Sequence, residues 1–233
     1  MARMNWARAS ALAGAAASGC YTVGDLLLLG TRARPEDRRL LREEPDLDTS
    51  ATVLLGSSTK RLRAGALWGV LATPLHVASA WQLYDAVRPA GNARAVRIAG
   101  TYAGAASIAS FIHGTFYPWG ATLHAADDAD PASTQRAKLL DQAEEISQAI
   151  RTAYLAFGVA VAAVSVETAV LTYQGRTRYP RWSSALVTPL VPVAAVVAGS
   201  NLLPTKQKER WEGAGISLGM LAANAVAGAA RRS

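Results

Sequence analysis

One cysteine, three histidines and three phenylalanines in 233 residues leave little material for several familiar chemistries. The lone Cys20 excludes an intramolecular disulfide and any paired-cysteine redox or zinc site. The chain has no GxSxG elbow, Walker loop, HExxH pair or Rossmann glycine pattern, so the soluble enzyme classes those motifs announce find no footing. Charge is scarce too. Only 18% of residues are charged, and the runs Ala64–Tyr84, Ile98–Ala126 and Trp182–Thr205 carry no formal charge at all.

What is present instead is apolar, at 51% of the chain. The mean hydropathy of +0.13 is modest because alanine and glycine supply much of it. Small residues let helices approach closely where lipid offers no hydrophobic drive between them. A helix crossing the hydrocarbon layer needs about 20 apolar residues, since each advances about 1.5 Å through a layer about 30 Å thick. Within lipid the backbone must satisfy its own hydrogen bonds, which selects helices for such runs. The expected fold is therefore all-α: a polytopic membrane helix bundle of about six transmembrane helices. It forms a single domain over 1–233, multi-pass in the cell membrane. The expected spans are 7–30, 61–87, 95–119, 149–174, 182–203 and 210–230.

The net charge of +7 comes largely from arginines near the predicted helix ends. Arg88, Arg94 and Arg97 flank one turn, Arg176, Arg178 and Arg181 another, and Arg231 and Arg232 close the chain. With Arg3 and Arg8 these would share one side under six spans, which points to cytoplasmic termini. The expected partners are the lipid bilayer and a lipophilic small molecule. A nucleic acid would need a basic face interleaved with aromatics on a soluble domain, and none is visible. Met1–Gly19 has the outline of a signal peptide, and Ala17-Ser18-Gly19-Cys20 that of a lipoprotein box. The apolar run resumes at once through Leu26–Leu29, so an uncleaved first helix fits better. Between spans, Pro35–Glu44 reads as a short interfacial helix. Asp130 reads as the N-cap of a helix running through Ile150 into the fourth span. Pro74, Pro189 and Pro192 mark breaks of the kind that bend a helix or line a cavity.

Ionisable groups inside a bilayer are costly and ask for a reason. Asp25, His76, His113 and Glu167 are the candidates. Asp25 follows Tyr21 by one turn, and reads either as a proton donor in a cavity or as a packing partner of a neighbouring helix. Ser110, His113 and Tyr117 share a stripe on an apolar helix, where a histidine and a tyrosine can hold or pass a proton. The alternative is a histidine that merely bonds across helices, with Tyr117 and Trp119 at the membrane interface. Alternating spans put Asp25, His113 and Tyr117 at similar depth, with His76 near the midplane. Asp25, His113 and His76 are thus the catalytic candidates. Tyr21, Tyr117, Trp81 and Glu167 are candidates for lining a substrate pocket, although Glu167 also has Arg97 or Arg176 as a possible ion-pair partner. Asn201 and Asn224 read as interhelical hydrogen-bond partners. Asp127, Asp128 and Asp130 have the oxygen chemistry for Mg²⁺. They read instead as a solvated turn, so neither a metal nor another cofactor is expected.

In size and in its acid-bearing helices the chain resembles small bacterial and fungal integral-membrane terpene cyclases. It is also similar to sterol-isomerase-like membrane enzymes. That resemblance implies protonation of an isoprenoid-like substrate and passage through a carbocation, which aromatic faces such as Tyr21, Tyr117 and Trp81 would steady. A proton-coupled transporter or substrate-capture subunit, and a structural membrane protein, are the alternatives.

Overall fold

The structure, a computed structural model, describes residues 6–47 and 49–230, apart from the side chains at 206, 210 and 212. Arg3, Arg231 and Arg232, which entered the orientation argument, lie outside the described residues. The described chain is helical. Helix α1 (Trp6–Leu29) leads to two short helices, α2 (Arg39–Glu43) and α3 (Thr49–Leu55). Helices α4 (Thr59–Ala78) and α5 (Ala80–Val87) follow, then the long α6 (Asn92–Asp128) and α7 (Thr134–Tyr173). Helices α8 (Leu190–Ser200), α9 (Thr205–Glu212) and α10 (Gly215–Ala229) complete the fold. Helix α6 packs along α7 and α4, α4 along α1, and α1 along α10.

Among the described residues three helices, α1, α6 and α7, are long and apolar enough to cross a membrane, not the six expected. Each shortfall has a local cause. Helix α4 opens on Lys60, Arg61 and Arg63, and stops at Ala78. There the Ser79 hydroxyl donates to the carbonyl of His76 at 2.5 Å, competing with the helical ladder five residues after Pro74. Helix α8 starts only after Pro189, leaving 11 residues, and α10 has 15. Conversely, α6 runs past residue 119 to Asp128, with Pro118 inside it, because no strong breaker stands before Asp130-Pro131. Ser133, not Asp130, caps α7: its hydroxyl accepts from the Arg136 amide at 3.2 Å. Helix α3 was not anticipated.

Large apolar side chains line the outer surface as well as the core, and several polar groups lie inside. Leu67, Trp68, Leu71 and Leu75 stand exposed along α4, and Leu155, Val159, Val166 and Val170 along α7. Asp25, His76, His113, Gln82 and Asn224 are buried. Polar groups tie the helices from within. The Gln82 amide donates to Asn224 Oδ1 at 2.6 Å, and Asn224 Nδ2 donates to Ser18 Oγ at 3.3 Å, joining α5, α10 and α1. Expected to bond between helices, the Asn201 amide instead donates, among the described residues, to the Val197 carbonyl of the adjoining helix α8 at 3.3 Å.

The two ends differ. At one, Arg136 is almost fully buried and pairs with Glu43 and Glu44. Asp127 accepts from the Leu40 amide at 2.7 Å and pairs with Arg38, so it anchors α2. Asp130 accepts from the Ala132 amide. At the other end, Ala86, Tyr179, Val187 and Ala227 form a small cluster. Tyr179 is wholly interior, and burial pushes its phenol above the usual range.

Candidate functional site

Asp25 sits one turn before the end of α1, where the helix dipole disfavours negative charge. The nearby guanidinium of Arg61 caps that end, donating to the carbonyls of Leu26 (2.8 Å) and Leu27 (3.0 Å). The Asp25 carboxylate has two side-chain partners from distant helices. Ser217 of α10 donates to Oδ2 at 2.6 Å, and His113 Nε2 of α6 lies 3.3 Å from Oδ1. Thr22 donates to Ser217 at 3.1 Å and so steadies it.

His113 reaches this position because α4 yields space. A Cβ on Gly69 would lie 2.3 Å from the His113 ring, and one on Gly24 would lie 2.9 Å from the Gly65 carbonyl. The glycines let α1 and α4 close together with the imidazole between them. Tyr21 then sits between two histidines with its ring steeply tilted to both, its centroid 4.7 Å from His113 and 5.4 Å from His76. Its hydroxyl bonds Thr73 Oγ1 at 2.9 Å. His76, fully buried, bonds the Tyr102 hydroxyl through Nε2 at 2.9 Å. Among the described residues, the Nδ1 atoms of both histidines have no hydrogen-bond partner.

Asp25, His76, His113, Tyr21 and Ser217 border a cavity of about 50 Å³, lined on its other side by Tyr154 and Phe157 of α7 and by Ile216 and Met220 of α10. That volume admits a few waters at about 10–15 Å³ each. It is far below the roughly 300–1,000 Å³ of pockets that enclose a drug-sized ligand. Helix α7 lies against α6 and makes little contact with α10, so the cavity sits behind a seam between those two helices. Chemically, the carboxylate and imidazole are placed to share one proton. A hydroxyl fixes one carboxylate oxygen, and aromatic faces surround the rest.

A family model matches residues 4–228. The chain belongs to DUF6796, a family of unknown function. No curated protein and no solved structure matches it. The family match spans every helix that contributes to the cavity, from α1 to all but the last residue of α10.

Of the residues singled out in the sequence, the structure gathers Asp25, His113, His76 and Tyr21. It does not bring the others. Glu167 is ion-paired at the opposite end, to Arg97 at 2.6 Å and Arg94 at 3.3 Å. Trp81 is half-exposed against Tyr84 and faces a separate outer groove with Trp6. Tyr117 lies one turn past His113, outside the cavity lining, packed on the hydrophobic core. Trp119, expected at an interface, is buried against Phe116. Among the described residues no group of three or more His, Cys, Asp or Glu side chains is placed to hold a metal ion. Sequence reasoning missed Ser217, Tyr154, Phe157 and Met220. Ser217 carried a faint signal, as a lone hydroxyl flanked by Gly215 and Gly219 on an apolar helix.

Proposed function

We propose that the protein is a multi-pass membrane enzyme that moves protons on a lipophilic substrate, with Asp25 and His113 as the acid–base pair. The observation that supports this most is the 3.3 Å approach of His113 Nε2 to Asp25 Oδ1 at the wall of an interior cavity. A buried acid placed beside a base, with a second histidine and Tyr21 at hand, suits reactions that need only proton addition and removal. Cyclisation and double-bond isomerisation of an isoprenoid-like chain through a carbocation are of that kind. Asp25 would protonate the chain, Tyr21, Tyr154 and Phe157 would face the developing cation, and His113 would take the proton back. The membrane reading rests on the apolar outer faces of α4 and α7 and the polar groups inside. In it α4–α5, continuing through Ser79 to Val87, adds a crossing to the three long helices, whereas α8 with 11 residues and α10 with 15 are shorter than a full crossing.

Lipid profiling of cells making the wild type or Asp25→Asn tests this. The expected result is a lipophilic product present with the wild type and absent with a folded Asp25→Asn protein. Turnover that persists in the folded variant would overturn the assignment.

The water-sized cavity favours a second reading, proton-coupled transport. Under it, uptake into vesicles would follow an imposed proton gradient, and Asp25→Asn would uncouple the two.

A further inference from the structure

Two larger cavities adjoin the site, at the end of the bundle where α1 finishes and α7 begins. One, of about 230 Å³, is lined by Leu29, Val53, Phe116 and Ile150 on its apolar walls and by Ser50, Ser147 and Arg151 on its polar ones. The other, of about 190 Å³, shares Leu29, Ser50 and Val53 with it and adds Arg32, Thr49 and Glu209. The first shares Tyr154 with the inner cavity, and the second shares Gly213. On α7 the lining residues Ser147, Ile150, Arg151, Tyr154 and Phe157 fall three or four apart, so they form one stripe from the outer chamber to the inner one. On α1, Leu29, Asp25, Tyr21 and Ser18 do the same. Two helices thus line both volumes, and the Tyr154 side chain borders each of them.

We propose that these outer chambers are the binding site for the head of an amphiphile, and that its chain reaches Asp25 by displacing Tyr154. The substrate class follows from the lining. The Arg151 guanidinium, which donates to Ser147 Oγ at 2.9 Å and pairs with Glu144 at 3.7 Å, forms with Ser147 and Ser50 a polar wall that suits a neutral hydrogen-bonding head, such as an alcohol. Leu29, Val53, Phe116 and Ile150 receive the first carbons of the chain. Leu29 and Asp25 are about 6 Å apart along α1, and Ser147 and Tyr154 about 10 Å apart along α7, so the reacting carbon lies about 6–10 Å from the head. Tyr154 is a positioning residue here. It decides how much of a chain passes, and the inner cavity is water-sized because Tyr154 closes it off from the outer volume. The substrate class rests on the acid–base reading of Asp25 and His113, whereas the path itself does not.

The test reads access rather than turnover. Met220, buried on the inner wall, is replaced by cysteine in a Cys20→Ser background. The protein is placed in lipid nanodiscs, and its modification by a charged methanethiosulfonate is timed. A gate open about one-tenth of the time slows access about tenfold, so Tyr154→Ala should raise the rate about that much. Tyr154→Phe should leave the rate unchanged, because the barrier is steric. Tyr154→Leu repeats the test should the alanine variant fold poorly. Adding Val53→Trp, which fills the outer chamber, should restore slow modification. Farnesol should protect the cysteine with Tyr154 intact, the headless hydrocarbon farnesene should not, and Arg151→Gln should abolish the protection. Rates indifferent to Tyr154 and Val53, or lowered only by Ile216→Trp at the α7–α10 seam, would overturn the path. Equal protection by farnesene would overturn the head site. If access behaves as expected while cells make no Asp25-dependent product, the acid–base reading fails and the path stands.

Discussion

At the scale of single residues, the site depends as much on missing atoms as on functional groups. Gly69→Ala places a methyl where the His113 ring now lies, so ring or helix must shift. Overpacking of that kind costs about 1–3 kcal/mol, and here it also separates the imidazole from Asp25. The expected outcome is a lower unfolding temperature together with loss of the product that profiling detects. Retained activity at reduced stability would show that His113 is not needed beside the carboxylate. Tyr179 offers the opposite case. Its buried hydroxyl lacks a hydrogen-bond partner among the described residues, and an unmet buried polar group costs about 1–3 kcal/mol. Tyr179→Phe should therefore raise the thermal midpoint, as followed by circular dichroism, and leave turnover alone.

The elements show which faces carry the assembly. On α1, a Cβ at Gly14 would lie 2.5 Å from the Asn224 amide oxygen, whereas one at Gly19 would meet nothing within 4 Å. Gly14→Ala should loosen the α1–α10 contact and destabilise the fold. Gly19→Ala should be neutral or stabilise by up to about 1 kcal/mol from helix propensity alone. Paired thermal denaturation curves decide this, and equal effects would deny α10 its place on α1. At the polar end, Arg136→Ala strands Glu43 and Glu44 and releases α2. Because both acids are partly solvated, the cost should be only about 1–2 kcal/mol, read more sensitively as faster proteolysis between residues 34 and 47. Charge-free length announced α6 but not α7, whose apolar stretch lies between charged residues, and the Asp25–His113 pairing was legible as a match of depth. The break at Ser79 was not, because it turns on whether one hydroxyl bonds its own helix. The ion pair of Glu167 was legible in part: Arg97 was one of its two expected partners, and packing supplied Arg94 rather than Arg176 as the second. Tyr154 stayed hidden for a related reason. An aromatic in an apolar helix gives no hint of which neighbour it will face.

For the whole molecule, the number of crossings is open to direct measurement. Glu36 and Arg176 are both exposed and lie at opposite ends of the bundle. Single cysteines placed there, in a Cys20→Ser background, should label from opposite sides of the membrane if α4–α5 crosses along with α6 and α7. Labelling from the same side would leave only the three long helices spanning. The bond from Ser217 to Asp25 also bears on how the protein is made, because 192 positions separate the two residues. In the membrane reading, the first helix enters the bilayer during translation with its acid lacking that hydroxyl, and it waits through the synthesis of eight further helices. Only then does the serine arrive. A chain stalled or truncated before α10 presents an intramembrane acid with His113 beside it but without its hydroxyl partner, the kind of feature by which cellular surveillance tells unfinished membrane proteins from finished ones. The same contact that completes the site would mark the chain as complete.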